Sequence, residues 1–220
     1  MTGVQTCALP ILKAKNAGAN SGDDTASKIS AKMGGAYQIA DWLEAYANWG
    51  QGLHSNDARG VVSKATPVPG LVRGSGWEGG LRFQEGGFTA TAAYWWLRVD
   101  SELKFVGDSN SVEPTGKSAR DGLELTMFWR PYDWLAIDGV YTKTNAKYVN
   151  APGVDHIPEA LETVGELGVS GVWPEYEASI RLRQVGPYPL LEDNSVRARS
   201  EADVNMRVAW KPGQIGRAHV

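Results

Sequence analysis

The sequence contains one cysteine, Cys7, among 220 residues. A disulfide within the chain and a cysteine-based metal site are therefore both excluded. The sequence also lacks any apolar run near the roughly 18 residues of a membrane-spanning helix, so a membrane-spanning role would require a barrel of strands. With a formal charge of −3, it has no excess of basic residues. This charge argues against a nucleic-acid partner, which would usually meet a basic surface.

Motifs for catalysis are also missing. Between its two ends the chain has no GxSxG, HExxH, phosphate loop or paired CxxC, and the hydroxyl-rich run "GDSNSVEPTG" has the wrong spacing for a nucleophile elbow. A hydrolase would need a Ser-His-Asp or paired-carboxylate site, and only scattered candidates are present. We predict that the protein is not an enzyme, with no catalytic residue, no metal site and no cofactor.

The two ends of the sequence are related to each other at the level of DNA. Residues 5–11, "QTCALPI", can be encoded by CAGACGTGTGCTCTTCCGATC, and residues 215–220, "IGRAHV", by ATCGGAAGAGCACACGTC. The second DNA string is the reverse complement of part of the first, as expected for sequencing-adapter read-through. We therefore predict that residues 1–11 and 215–220 are adapter-derived and that 12–214 is a native segment cut at both ends.

Tryptophan, tyrosine and glycine are abundant, and one stretch rich in them, "YWWLRVDSELKF" (94–105), shows how they are used. Taken at a period of two, one face carries Trp95, Leu97 and Val99, followed by Leu103 and Phe105. The other face carries the four charges Arg98, Asp100, Glu102 and Lys104. A helix would mix the two sets around its circumference, so the pattern predicts a strand with one apolar and one charged face.

The same alternation recurs along the chain and predicts about nine strands. The connections between them alternate between short turns and long polar segments, and a long segment is expected after Val106. This arrangement is typical of an up-and-down antiparallel meander.

The number of strands decides which face points outward. A soluble barrel or sandwich would place the apolar face inside, but nine long strands and more would enclose a lumen too wide for side chains to fill. We therefore predict an all-β, antiparallel, up-and-down transmembrane barrel, of which this chain is a part, with the apolar stripes facing lipid. Trp42, Trp134 and Trp173, beside short turns, would form one aromatic girdle. The charges expected to face the lumen are Arg98, Asp100, Glu102, Lys104, Arg120, Glu124, Arg181 and Arg183.

Three stretches resemble one family. They are "YANWGQGLHSNDARG" (46–60), "AYWWLRVDSELKFVGDSNSVEPTGKSARDGLEL" (93–125) and "GPYPLLEDNSVRAR" (186–199), and together they are similar to the C-terminal half of a TonB-dependent outer-membrane receptor. The resemblance implies a barrel of roughly 22 strands closed by an N-terminal plug. It also implies active uptake of a scarce nutrient, such as an iron chelate or cobalamin, across the outer membrane of a Gram-negative cell.

The implied partners are outer-membrane lipid, a small-molecule or metal-chelate ligand, and the TonB energy-coupling protein acting through the plug half. Some lumen charges would hold the plug. The sequence shows no plug, no energy-coupling box and no closing strand with a terminal aromatic. We therefore do not expect this segment to transport by itself.

Two loops hold the candidate ligand-binding residues. These are His54, Asn56, Asp57 and Arg59 after the second strand, and Glu192, Asp193, Asn194 and Arg197 after the eighth. One imidazole and one carboxylate are too few for a metal site, which normally has three or four ligands. The interpretation favoured for both groups is a structural network that satisfies loop backbone groups. A passive porin and a soluble β-sandwich adhesin remain as alternatives to the receptor.

Overall fold

A computed structural model describes residues 6–8, 11–14, 22–55, 58–62, 68–106, 111–149, 151 and 153–211. This part of the chain consists of strands and one short helix. In chain order the elements are β1 (Thr6–Ala8), β2 (Ile11–Ala14), β3 (Gly22–Thr25), β4 (Lys28–Ser30), β5 (Lys32–Ala40), β6 (Leu43–Ser55), α1 (Ala58–Val61), β7 (Leu71–Glu85), β8 (Phe88–Val106), β9 (Ser111–Tyr132), β10 (Leu135–Tyr148), β11 (Thr163–Val172), β12 (Tyr176–Val185) and β13 (Glu201–Trp210).

Strands β5 to β13 form one sheet in which every strand pairs with its neighbours in sequence, and all pairs are antiparallel. The nine strands predicted from alternation are confirmed, as is the up-and-down order. Three short strands, β1, β2 and β3, were not predicted, and β4 lies within the segment whose alternation predicted the first of the nine strands. The four short strands pair as β1 with β4 and β2 with β3. Because β1 and the start of β2 lie within residues 1–11, the adapter boundary stays a prediction.

The connections differ in length between the two ends of the strands, and each of these two borders of the sheet is named here by its connections. At one edge, the short-turn edge, strands are joined by two or three residues. The β7–β8 turn is made by Gly86 and Gly87 with φ of 55° and 77°, a left-handed pair that is typical of a type I′ hairpin turn. At the other edge, the long-loop edge, the connections are longer. The long loop expected after Val106 is wrong, because β9 begins at Ser111 and pairs back along β8.

The apolar stripes do not meet in a protein core. Met206, Val208 and Trp210 are 74%, 78% and 66% exposed, and most large apolar side chains on the other strands are also exposed. The strands lie in one sequential sheet rather than in two packed sheets, so the soluble sandwich does not fit. Among the described residues, no helix is long and apolar enough to cross a membrane.

Register defines the two faces of the sheet, since directly opposite residues of an antiparallel pair project from the same side. The apolar face connects Leu43, Phe83, Ala90 and Met127, and continues through Leu167, Leu182 and Val204. The polar face carries the intervening residues, which are rich in charged side chains. The alternation thus produces one continuous apolar face and one continuous polar face.

In strand β8, the residues on the apolar and polar faces differ from those predicted. Tyr94 lies opposite Leu123, and Trp96 lies opposite Trp77, so both belong to the apolar face. Trp95 lies opposite Glu78 and belongs to the polar face. The prediction that Trp95, Leu97 and Val99 form the apolar stripe is therefore wrong for this strand. The reason is that residues 94–97 are all apolar, so the charge of Arg98 set the predicted phase, and Arg98 itself lies on the apolar face over the Trp96 ring.

Candidate functional site

The polar face carries an ion-pair network centred on Arg181 of β12. The Arg181 guanidinium contacts Asp138 of β10 at 3.0 Å and Glu166 of β11 at hydrogen-bond distance. Gly168 lies between them, and a Cβ there would come within 2.7 Å of an Asp138 oxygen. Glycine at this position leaves the space in which the three charged groups meet. The network therefore ties three strands together on the polar face.

A second polar contact lies five strands away. Arg82 of β7 donates to Glu44 of β6 at 2.6 Å, and its guanidinium carbon lies 4.0 Å from the centre of the Tyr46 ring. The Tyr46 ring lies against Gly80, where a Cβ would come within 2.8 Å of it. Arg82 therefore makes a charge-assisted hydrogen bond and a cation–π contact at once.

Four of the predicted lumen charges share the polar face: Arg120, Glu124, Arg181 and Arg183. Arg98 does not. It lies opposite Ala119 on the same face as Tyr94, and its guanidinium lies over the Trp96 ring at 4.9 Å. Its assignment to the lumen is therefore wrong.

Three other predicted lumen residues fall at or beyond the irregular part of β8. Asp100 is exposed and follows Val99, at the start of the register irregularity. The side chains of Glu102 and Lys104 lie outside the described residues. That Asp100, Glu102 and Lys104 face the lumen stays a prediction.

At the long-loop edge, two connections pack on each other, and we call them together the loop layer: residues 153–162 and 186–200. The backbone N–H of Glu159 donates to the Pro189 carbonyl at 2.8 Å, and that of His156 donates to the Glu192 carbonyl at 3.1 Å. Pro189 is fully buried and Ile157 is 8% exposed. The loop layer is therefore a packed structure rather than two independent loops.

Arg197 is the centre of the loop layer. Its guanidinium donates to the Asn194 side chain at 2.6 Å, to Glu162 at 2.6 Å and to the Pro187 carbonyl at 3.0 Å. Asp193 in turn accepts from the backbone N–H and the hydroxyl of Ser195 at 3.0 Å and 2.7 Å. These contacts fit the favoured interpretation of a structural network. Whether any of Glu192, Asp193, Asn194 and Arg197 contacts a ligand stays a prediction.

The other predicted ligand group is only partly described. His54 is exposed near the end of β6, opposite Val72. Asn56, Asp57 and the side chain of Arg59 lie outside the described residues. Their role as ligand contacts stays a prediction.

Two loop carboxylates have lowered pKa values. The pKa of Asp155 is lowered first by the hydrogen bond from the Lys147 ammonium, at 2.9 Å, which favours the carboxylate form. The pKa of Asp193 is lowered first by the hydrogen bond from the Ser195 hydroxyl. Both groups are therefore held ionised by structural partners. No group of three or more His, Cys, Asp or Glu side chains in the described part of the chain could hold a metal ion.

Sequence reasoning missed several members of these networks. Asp138, Glu166 and Glu162 were not singled out, although each is a partner of a predicted arginine. Asp138 sits between Ile137 and Gly139 in an alternating strand, and this phase would have placed it on the charged face. Glu162 gives no such signal, because it lies 35 residues before Arg197 and meets it only through loop packing.

Aromatic rings gather at the short-turn edge. Trp134 stacks with Trp173 at 5.4 Å between ring centres and with Tyr132 at 5.8 Å. Trp42 contacts Phe83 at 5.4 Å, with the rings tilted. The three tryptophans named for a girdle thus lie along one edge, at the level where a barrel would meet a membrane interface.

Comparison with known proteins places this geometry in a family. Residues 12–218 match the TonB-dependent receptor-like β-barrel family. The chain belongs to this family. Members of the TonB-dependent receptor family are outer-membrane proteins, and an apolar face of alternating strands is the surface that such a barrel turns to lipid. No curated protein matches the chain by sequence.

Solved structures of TonB-dependent receptors share the fold at low identity. The ferric yersiniabactin uptake receptor FyuA from Yersinia pestis is 16% identical, with a TM-score of 0.72, and the match covers 87% of this chain and 31% of that one. The ferric preacinetobactin receptor BauA from Acinetobacter baumannii is 15% identical, with a TM-score of 0.69 and coverage of 86% and 30%. The ferric citrate transporter FecA is 17% identical, with a TM-score of 0.70 and coverage of 89% and 32%.

These likenesses show the fold. The chain spans about a third of the length of each of these receptors. Its nine sequential antiparallel strands have the fold of about a third of such a barrel.

Proposed function

We propose that this chain is part of an outer-membrane receptor that takes up a scarce nutrient, an iron chelate, cobalamin or a similar compound, with energy supplied through TonB. The observation that carries the proposal is the family match over residues 12–218. FyuA, BauA and FecA, which share the fold, are named for ferric chelates. In this proposal the polar face borders the lumen and the loop layer belongs to the extracellular side.

The two faces of the sheet fit this placement. Fixed charges such as Arg181 with Asp138 and Glu166 need water or a polar partner, because an unpaired charge in lipid is costly. The apolar face has side chains suited to lipid along all nine strands. The short-turn edge, with its tryptophans, would then lie on the periplasmic side, where outer-membrane barrels have their short turns.

The test begins with the source DNA. Sequencing outward from Leu12 and Gly213 gives the full reading frame, which is expressed in a host whose own iron and cobalamin receptors are deleted. Growth and uptake of radiolabelled iron are measured with ferric citrate, a panel of ferric siderophores and cobalamin. The expected result is saturable uptake of one of these compounds, which disappears in an otherwise identical strain without TonB.

A passive porin would give a different result. Uptake would rise linearly with concentration, would be unselective and would persist without TonB. A reading frame that encodes no plug domain together with TonB-independent uptake would overturn the proposal.

A further inference from the structure

The polar face contains a cavity of about 620 Å³ that extends across β5 to β9. Three glycines line it, Gly34, Gly50 and Gly76, and the side chains of Asn48 and Lys32 lie close over Gly34 and Gly50. The side chains with chemistry around it include Trp95, Glu78, Glu124, Asn48 and Lys32. The ion-pair network of Arg181 and the loop layer are not part of it.

Trp95 forms the wall of this cavity. A Cβ on Gly122 would come within 2.8 Å of the Trp95 ring, so the indole lies flat against the backbone of β9. Its Nε1 is buried and has no hydrogen-bond partner in the described part of the chain. The Nε1 edge of the ring is thus turned into the protein, and Trp95 also lines the cavity.

Two carboxylates flank the ring. Glu78 lies directly opposite Trp95 on β7, and Glu124 lies two residues beyond Gly122, which is opposite Trp95 on β9. Among the described residues, neither carboxylate has an ion pair, and Glu78 accepts a hydrogen bond from the Tyr46 hydroxyl. Other carboxylates of the polar face do, namely Glu44 with Arg82, Asp138 and Glu166 with Arg181, and Glu177 with Arg207.

The surroundings of Tyr46 show how a cation binds between an aromatic ring and a carboxylate on the same face. At Tyr46, an aromatic ring lies over a glycine, a guanidinium covers the ring, and the same guanidinium is bound by a carboxylate. At Trp95 the ring over a glycine and the carboxylates are present, and no cation covers the ring among the described residues. The two places share every component except the cation.

We propose that this cavity binds an organic cation, a guanidinium or ammonium group that lies over the Trp95 ring between Glu78 and Glu124. The ring face attracts a cation through its quadrupole, and the two carboxylates provide charge complementarity. Asn48 offers a further hydrogen bond, and Lys32, on β5, disfavours a second cation at its end of the cavity. The cation comes either from a side chain elsewhere in the full-length protein or from a solute in the lumen.

This inference goes beyond the proposed function, because it does not depend on which nutrient is imported. The test uses the full-length receptor in detergent micelles, with agmatine, which carries a guanidinium and an ammonium group, as the probe. Binding is measured by calorimetry and the unfolding midpoint by thermal scans. The variants are Glu78→Gln with Glu124→Gln, and Trp95→Leu. Glu201→Gln, an exposed carboxylate on the polar face of β13, and Trp210→Leu, an exposed tryptophan on the apolar face of β13, are the matched controls.

A solute site predicts that agmatine binds wild type and the controls, with about tenfold weaker binding in the double glutamine variant and in Trp95→Leu. If the cation is instead a side chain of the same protein, agmatine should not bind wild type. Both cavity variants should then lower the unfolding midpoint, while the controls should not. The proposal is overturned if the cavity variants match their controls in both measurements. Uptake is measured separately. If the receptor showed no TonB-dependent uptake, the proposed function would be refuted, but the conclusion from the binding and unfolding measurements would not change.

Discussion

Removing Arg181 should expose how much the polar face contributes to the stability of the barrel. The side chains of Asp138 and Glu166 are 28% and 31% exposed, and that of Arg181 is 43% exposed, so the network is partly screened by water. Two such pairs contribute about 0.2–1 kcal/mol each. Arg181→Met also leaves two carboxylates on neighbouring strands without a cation, which adds repulsion. We expect the free energy of unfolding to fall by about 1–2 kcal/mol.

The assay is urea unfolding of the full-length receptor folded into phospholipid vesicles, followed by tryptophan fluorescence. The midpoint should fall with an unchanged slope, which indicates a change in stability rather than in the surface exposed on unfolding. Arg183→Met is the matched control, because Arg183 lies on the same strand and face and has no ion pair among the described residues. Its effect should be within about 0.5 kcal/mol of wild type.

A double-mutant cycle of Arg181→Met with Asp138→Asn isolates the pair, and the coupling should be about 0.5–1 kcal/mol. Higher salt should reduce part of it. Equal losses for the Arg181 and Arg183 variants, or a coupling of zero, would refute the role assigned to this network.

Three further outcomes are expected. Trp134→Ala removes the stack with Tyr132 and Trp173 and should lower the free energy of unfolding by about 1–3 kcal/mol, measured by the same urea assay. Arg197→Gln removes the Glu162 ion pair, so hydrogen exchange should accelerate in the loop layer and stay unchanged in the strands. Because the pKa of Asp155 is lowered in the folded state, its contribution is present above the unfolded-state pKa and is lost as pH falls through the folded-state value. The protection factors of the loop amides, which correct for the intrinsic pH dependence of exchange, should therefore fall in that acidic range, and Asp155→Asn should remove this fall.

Each of these has its own control. Trp96→Ala, away from the stacked cluster at the short-turn edge, should leave that cluster intact. Arg199→Gln alters an exposed arginine of the same loop and should not change loop exchange. Loop protection factors that still fall with pH in Asp155→Asn would assign the effect to another group. Strand exchange that rises together with loop exchange in Arg197→Gln would mean that Arg197 supports the barrel and not only the loop layer.

Alternation was sufficient to predict the nine strands, because each carries an uninterrupted period of two over most of its length. It was insufficient for the facing of β8. Residues 94–97, "YWWL", are large and apolar at every position, so only the charges from Arg98 onward set the phase. The nearest of them, Arg98, lies before the register irregularities but on the apolar face, over the Trp96 ring, so its charge indicated the wrong face. Pairing with β7 and β9 supplies the information that the single strand lacks.

The loop contacts were predictable in kind but not in detail. A cluster of Asp, Asn, Ser and Arg favours local hydrogen bonding, and the bonds from Ser195 to Asp193 and from Arg197 to Asn194 span two and three residues. The Arg197 bond to Glu162 spans 35 residues and depends on how two loops dock. A contact between residues so far apart in the sequence cannot be predicted from a local pattern.

The unequal lengths of the strands give the mouth of the barrel a slope. Strands β8 and β9 have 19 and 22 residues, while β12 and β13 have 10 each. About ten residues suffice for a tilted strand to cross a membrane, so the β8–β9 hairpin continues for about ten residues more, roughly 20–25 Å in height at a tilt near 45°. Strands β12 and β13 are short, and the loop layer lies at their end of the sheet. In the proposed orientation, the β8–β9 hairpin is therefore the part of the described sheet that projects farthest from the membrane.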